Sequence, residues 1–255
     1  MSYTIAVSGK GGTGKTTISS LIIKYLIEKN LTPILAVDAD PNSNLYYILG
    51  VDVGNTFGNV REEVLKETKS GKIPAGISKE TIFELKFQSS IVESKGFDLL
   101  TMGRPEGPGC YCYANIVLRR YIDELSKNYK FVVIDNEAGM EHLSRRTTQN
   151  IENLLIISDS TPVGIITAGR IRDLVNELEL KVNNIYIVIN RSSSESELDK
   201  KVKKLIEKQN LNFLGTIPED SILEEYSFNK KSILELPLDS ISFLAINAIM
   251  EKLIL

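Results

Sequence analysis

The chain has 255 residues, of which 42% are hydrophobic, and a net charge of -3. That is enough apolar material for a sizeable core, and it lacks the basic surplus of a protein whose main role is coating nucleic acid. No run is long enough to span a bilayer, and the opening MSYTIAVSGK lacks the basic start and small-residue cleavage site of a signal peptide, so the expectation is a cytoplasmic protein with reduced thiols and neither nucleic acid nor membrane as partner.

The first apolar run, YTIAVS, leads directly into GKGGTGKTT (Gly9–Thr17), and a segment of helical period, ISSLIIKYLIEKN, follows at once. The loop fits G-x-x-x-x-G-K-[ST], and strand, glycine loop and helix is the context in which that pattern cradles phosphates. Gly9, Gly11, Gly12 and Gly14, with Thr13 and Thr17 between and after them, let backbone N–H groups wrap a phosphate chain at a helix N-terminus. Lys15 is expected to reach the β and γ oxygens of ATP, and Thr16 to offer its hydroxyl to Mg²⁺.

The second strand, within TPILAVDAD, ends on Asp38 and Asp40 beside the phosphate loop of a parallel sheet. An aspartate of ordinary acidity is a poor proton acceptor at neutral pH, so orienting the attacking water suits Asp40 better than general-base work, which leaves Asp38 for the magnesium shell. From Gly54 to Lys95 the pattern is weak. It is expected to hold a helix over NVREEVLKETKS and a short strand or two within TIFELKFQSSIV.

After the strand FDLLTMG comes GPGCYC, which holds both cysteines of the chain, Cys110 and Cys112. Gly-Pro-Gly resists helix, and in an extended segment residues i and i+2 face one side, so the two sulfurs can act together. Two thiolates do not complete a tetrahedral or square-planar site, and His142 is the single histidine, whereas a symmetric dimer supplies four sulfurs. The competing reading is a pair of small buried hydrophobes. Next come a helical NIVLRRYIDELSKN and the strand KFVVID, which ends on Asp135 as a Walker B strand would. Gly139, four residues on, is placed to give its amide to the γ-phosphate.

The remaining segments alternate: NLLIIS, TAGRIRDLVNELEL, NIYIVIN, LDKKVKKLIEKQN and NFLGTIP. Strands apolar on both faces and separated by helices predict an α/β, doubly wound, mainly parallel sheet with helices on both faces. Seven strands are expected, starting near Tyr3, Pro33, Phe97, Lys130, Asn153, Asn184 and Asn212, with an eighth allowed, in a single domain over 1–255.

The KGGTGKT form, with Lys10 directly after the first glycine, resembles the deviant Walker A group of dimeric ATPases, which includes the nitrogenase iron protein, septum-site and partition ATPases and metallocentre-maturation ATPases. The resemblance implies that Lys10 acts in trans on the partner's nucleotide, that Asp40 positions water, and that Asn190-Arg191 and Pro218-Glu219 flank the adenine. GKGGTGKTT, DADPNSNL, GPGCYC, DNEAGMEHLSRRT and the pattern from Ser158 to Leu180 together resemble the CooC/AcsF-type nickel-insertion ATPases. That resemblance implies a homodimer which binds nickel, or zinc in its absence, through Cys110 and Cys112 of both subunits and serves carbon monoxide dehydrogenase or acetyl-CoA synthase as client. A spatial-positioning ATPase and an iron–sulfur scaffold are the alternatives.

Overall fold

The computed structural model describes residues 2–42, 44–70, 79–103, 122–137, 150–192 and 199–254. Each expected strand is present: β1 (Tyr3–Gly9), β2 (Ile34–Asp38), β4 (Phe97–Thr101), β5 (Phe131–Asp135), β6 (Ile151–Ser158), β7 (Val182–Ser192) and β8 (Asn212–Pro218), joined by β3 (Ile91–Ser94). They form one sheet in the order β3-β4-β2-β5-β1-β6-β7-β8. β3 pairs antiparallel with β4, and every other neighbouring pair is parallel.

Strand alternation divides the core in two. Ile5 and Val7 of β1 and Ile34 and Ala36 of β2 face one layer, while Ala6, Leu35 and Val37 face the other. The first layer is covered by α1 (Lys15–Glu28) and by the last helix, here α8 (Ile241–Ile254). The second is covered by α5 (Pro162–Glu177) and α6 (Lys200–Lys208), and nearer β4 by α3 (Phe57–Lys69) and α4 (Lys79–Gln88). Among the described residues there are also the short helices α2 (Leu45–Leu49) and α7 (Ser221–Phe228), a 3-10 turn at Ile233–Glu235, and helical residues 122–126. Among the described residues no helix is long and apolar enough to cross a membrane.

The weakly patterned segment departs from expectation. The helix over NVREEVLKETKS is present as α3, capped by the Thr56 hydroxyl, which accepts from the Asn59 N–H. Most of TIFELKFQSSIV is helix α4 rather than strand, and only its end joins β3. Phe83 and Phe87 lie one helical turn apart and both pack edge-on against Phe57 of α3, so a tertiary contact decides a segment that local pattern left open.

Candidate functional site

At the carboxyl end of β1 the chain makes two turns that only glycine takes without strain. Gly9 has φ +150° and a Cβ there would lie 2.3 Å from the Ile157 carbonyl oxygen; Gly14, which begins α1, has φ +89°. Between them, the Thr13 hydroxyl donates to the Lys10 carbonyl at 2.8 Å, and Lys15 Nζ donates to the same oxygen at 3.2 Å. Lys15 is buried, which pulls its pKa below the ordinary lysine value, an effect the carboxylates of Asp135, Asp40 and Glu137 partly offset. Lys10 and Gly11 are exposed, and the engaged atom of Lys10 is its backbone oxygen.

Two aspartates meet under this loop. Asp38 ends β2, Asp135 ends β5, and they are register partners on adjacent strands. Both are almost fully buried. Burial, with the neighbouring carboxylate adding to it, pushes Asp38 up to about 7, although its oxygens accept the N–H groups of Asp40 and Leu45. Burial likewise lifts Asp135 to about 6, against the hydroxyls of Thr16 and Ser19 and the Lys15 charge. The Ser19 hydroxyl donates to Asp135 Oδ1 at 3.1 Å. Asp40 is half-buried, and its carboxylate accepts the Asn42 N–H. The Thr101 hydroxyl, in register with Asp38, and that of Ser8, just before the loop, are buried with no hydrogen-bond partner among the described residues. Two buried carboxylates in register on adjacent strands, with Thr16 bonded to one of them, are a donor set suited to a hard divalent cation such as Mg²⁺.

A cleft of about 300 Å³ opens beside the loop, between Gly14 and Thr17 on one side and Asn190, Arg191, Pro218 and Glu219 on the other. The four residues expected at the adenine therefore lie together on the same cleft as the phosphate loop. Asn190 also braces that loop, because its amide donates to the Thr13 carbonyl at 2.8 Å and occupies the space a Gly14 side chain would need. Its second amide N–H and its carbonyl oxygen are not used in that bond. Arg191 reaches the Gly12 carbonyl at 3.4 Å.

Two contributors were not singled out from sequence. Ser19 faces Asp135 from the turn of α1 after Lys15, and Tyr47 of α2 lines the far wall of the cleft. Asp220, just after the adenine-side segment, has its carboxylate committed elsewhere: it accepts from the N–H groups of Ile222, Leu223 and Ser242 and from the Ser240 hydroxyl. Cys110, Cys112, Gly139 and His142 lie outside the described residues. Among the described residues no group of three or more histidine, cysteine, aspartate or glutamate side chains is arranged to hold a metal.

This site belongs to a known class. Residues 4–233 match the CobQ/CobB/MinD/ParA nucleotide binding domain. The chain belongs to that family of P-loop ATPases. It is 47% identical to an uncharacterized ATP-binding protein of Methanocaldococcus jannaschii over 98% of both chains. It is 29% identical to the carbon monoxide dehydrogenase accessory protein CooC of Rhodospirillum rubrum over 86% of this chain and 85% of that one. Among solved structures, the septum site-determining protein MinD of Pyrococcus horikoshii, complexed with Mg-ADP, superposes with a TM-score of 0.71 over 99% of this chain and 96% of that one. At 20% identity that likeness speaks for the fold alone.

Proposed function

We propose that the protein is an ATP-hydrolysing maturation factor that holds nickel between two protomers and assists its insertion into the metallocluster of carbon monoxide dehydrogenase or acetyl-CoA synthase. The observation that carries this reading is the tripeptide Cys110-Tyr111-Cys112 in a chain 29% identical to CooC along most of its length. Four thiolates from a symmetric pair suit nickel, or zinc as a substitute, and no second chain segment is needed to complete the site.

The nucleotide half of the proposal is supported by the geometry of the phosphate loop, the two aspartates beneath it and the adjoining cleft, while the role given to Gly139 follows from the sequence alone. Backbone N–H groups from Gly9 to Thr17 take the phosphates, with Lys15 swinging from the Lys10 carbonyl onto the β and γ oxygens. Thr16 and Asp38 would hold Mg²⁺, with Asp135 behind them, and the ion supplies charge neutralisation on the phosphates. Asp40, half-buried at the rim, orients the attacking water. The exposed Lys10 side chain crosses to the partner's nucleotide, and the Gly139 amide follows the γ-phosphate. Pro218 and Glu219 form one edge of the base site, with Asn190 and Arg191 opposite. Nucleotide-driven closure through Lys10 would alter the geometry of the cysteine pair, and linkage requires that metal alter nucleotide affinity by the same factor.

The test is an anaerobic nickel titration of the reduced protein, followed by native mass and light scattering, with ADP and with a non-hydrolysed ATP analogue. One nickel per two chains, lost in Cys110→Ala and in Cys112→Ala while ATP binding persists, is the expected result. Unchanged titration of the two variants removes the cysteine site. A brown protein with iron and sulfide bound at the pair would make it a cluster scaffold, and nucleotide-dependent pelleting with liposomes or DNA, without metal binding, would make it a positioning ATPase.

A further inference from the structure

A second surface lies away from the cysteines, along the last strand of the sheet. β8 is terminal in the sheet, so among the described residues one side of its backbone has no neighbouring strand. Beside it runs a groove of about 480 Å³, with Phe213 and Gly215 of β8 on the floor and Ile241, Leu244 and Ala248 of α8 as one wall. Helix α8 is apolar on two faces. Phe243, Ile246, Ile249 and Met250 are buried in the core, while Ile241, Leu244 and Ala248 repeat at helical spacing along the groove. A helix apolar nearly all round is ordinarily covered all round. Here Leu244 is 50% exposed, Ile241 39% and, across the groove, Phe213 42%.

The rim carries one sign of charge. Lys203 of α6 and Lys252 of α8 both line the groove, and Lys252 donates to the outward carbonyl of Leu214 at 3.1 Å. Helix α6 as a whole has five lysines against the single Glu207, and its lysines are exposed. A flat nucleic acid surface would leave the apolar floor uncovered, and a bilayer needs an apolar edge that projects rather than a recess between strand and helix.

We propose that this groove docks an extended segment of a partner protein in which apolar and acidic residues alternate. The segment adds to β8 as a further strand and seats its apolar side chains on Phe213, Ile241 and Leu244. Its carboxylates, on the opposite side, meet Lys203 and the other lysines of α6. Lys252, already bonded to the edge, marks where a backbone or carboxylate acceptor would replace Leu214. The proposal requires neither nickel binding nor hydrolysis.

The experiment uses the full chain and a fluorescent synthetic peptide of alternating valine or leucine and glutamate, alongside its lysine counterpart, phosphatidylglycerol vesicles and duplex DNA. Binding is read by anisotropy, and protection of the β8 amides by hydrogen exchange. The acidic peptide is expected to bind and to protect β8, with affinity falling about tenfold or more in Leu244→Asp and in Lys203→Glu. Both positions are exposed, so unchanged ATP binding and circular dichroism serve as the folding control, and either variant suffices if the other fails it. The proposal is overturned if the acidic peptide does not bind, if it binds no better than its lysine counterpart, or if both variants bind it as wild type does. It is equally overturned if vesicles, DNA or a second copy of the chain, rather than the peptide, compete for Leu244 and Lys203.

Discussion

Asp38 and Asp135 at the floor of the phosphate loop, and Asp220 at the end of β8, are all buried carboxylates, yet they are treated in opposite ways. Asp220 accepts four hydrogen bonds, two on each oxygen, and they outweigh its burial and hold its pKa below the usual aspartate value. Asp38 and Asp135 have fewer donors, each has a carboxylate charge nearby (Asp135 for Asp38, Asp40 for Asp135), and burial wins, at about 7 and about 6. The donor count separates the two roles. Asp220 is a clamp: its Oδ1 caps α7, and its Oδ2 takes the Ser240 hydroxyl and the Ser242 N–H where α8 begins. The other pair keeps unmet demand for positive charge at the place where phosphates and a cation are expected.

The sharpest way to break this contrast is to neutralise one member of each kind. Asp135→Asn should lower Mg²⁺-dependent phosphate release by about 10²–10³-fold, the range seen when a preorganised electrostatic group is removed. In EDTA above neutral pH the same variant should melt no lower than wild type, because a costly buried charge has gone. Asp220→Ala should do the reverse. It strands several donors and should cost about 2–4 kcal/mol of stability by urea unfolding, with phosphate release per folded molecule unchanged. If Asp220→Ala loses hydrolysis without losing stability, the division of roles is wrong.

How much of this was legible beforehand follows from how far apart the partners lie in the chain. The phosphate loop is local, since the pattern, its strand and its helix are contiguous, and it reads directly from Gly9–Thr17. The seven main strands are legible for the same reason, each being a short apolar run between helical segments. The N-cap role of Asp220, immediately before SILEEY, was also open to a local reading, but its bonds to Ser240 and Ser242 depend on where α8 returns. Asn190 bracing Thr13 and Ser19 facing Asp135 are contacts across more than a hundred residues, and nothing near either residue announces them. Helix α4 was missed because its sequence supports either structure and Phe57 decides between them.

pH separates the two regions more gently. A folded-state value above the ordinary 3.8 means that the folded chain keeps a proton the unfolded chain has lost, so Asp38 and Asp135 make stability fall as pH rises from about 4 to the values they hold, about 7 and about 6. The slope is at most about 1.4 kcal/mol per pH unit for each group. Asp220, held below its ordinary value, contributes stability that is present above that value and is lost as pH falls through the more acid range. Urea unfolding in EDTA at closely spaced pH values should show Asp38→Asn flattening the limb between about 4 and 7, and Asp220→Ala flattening only the acid end. Added Mg²⁺ should stabilise wild type chiefly on the alkaline side. A limb between about 4 and 7 that Asp38→Asn leaves untouched would mean that the Asp38 carboxylate is ionised without cost.

Ser19 provides the smallest effect and the finest test of the same idea. Its hydroxyl is fully buried and donates to an Asp135 oxygen, so it stabilises the ionised carboxylate and does less for the protonated acid. Ser19→Ala should therefore cost about 1 kcal/mol at pH 8, where Asp135 is ionised, and less at pH 5, where folded Asp135 holds its proton at a value of about 6. The variant should also lift the Asp135 value further, moving the associated part of the stability curve to higher pH. A loss equal at both pH values would show that the serine fills space beside β5 without serving the charge, and Asp135 would then depend on Thr16 and Lys15 alone for its ionised form.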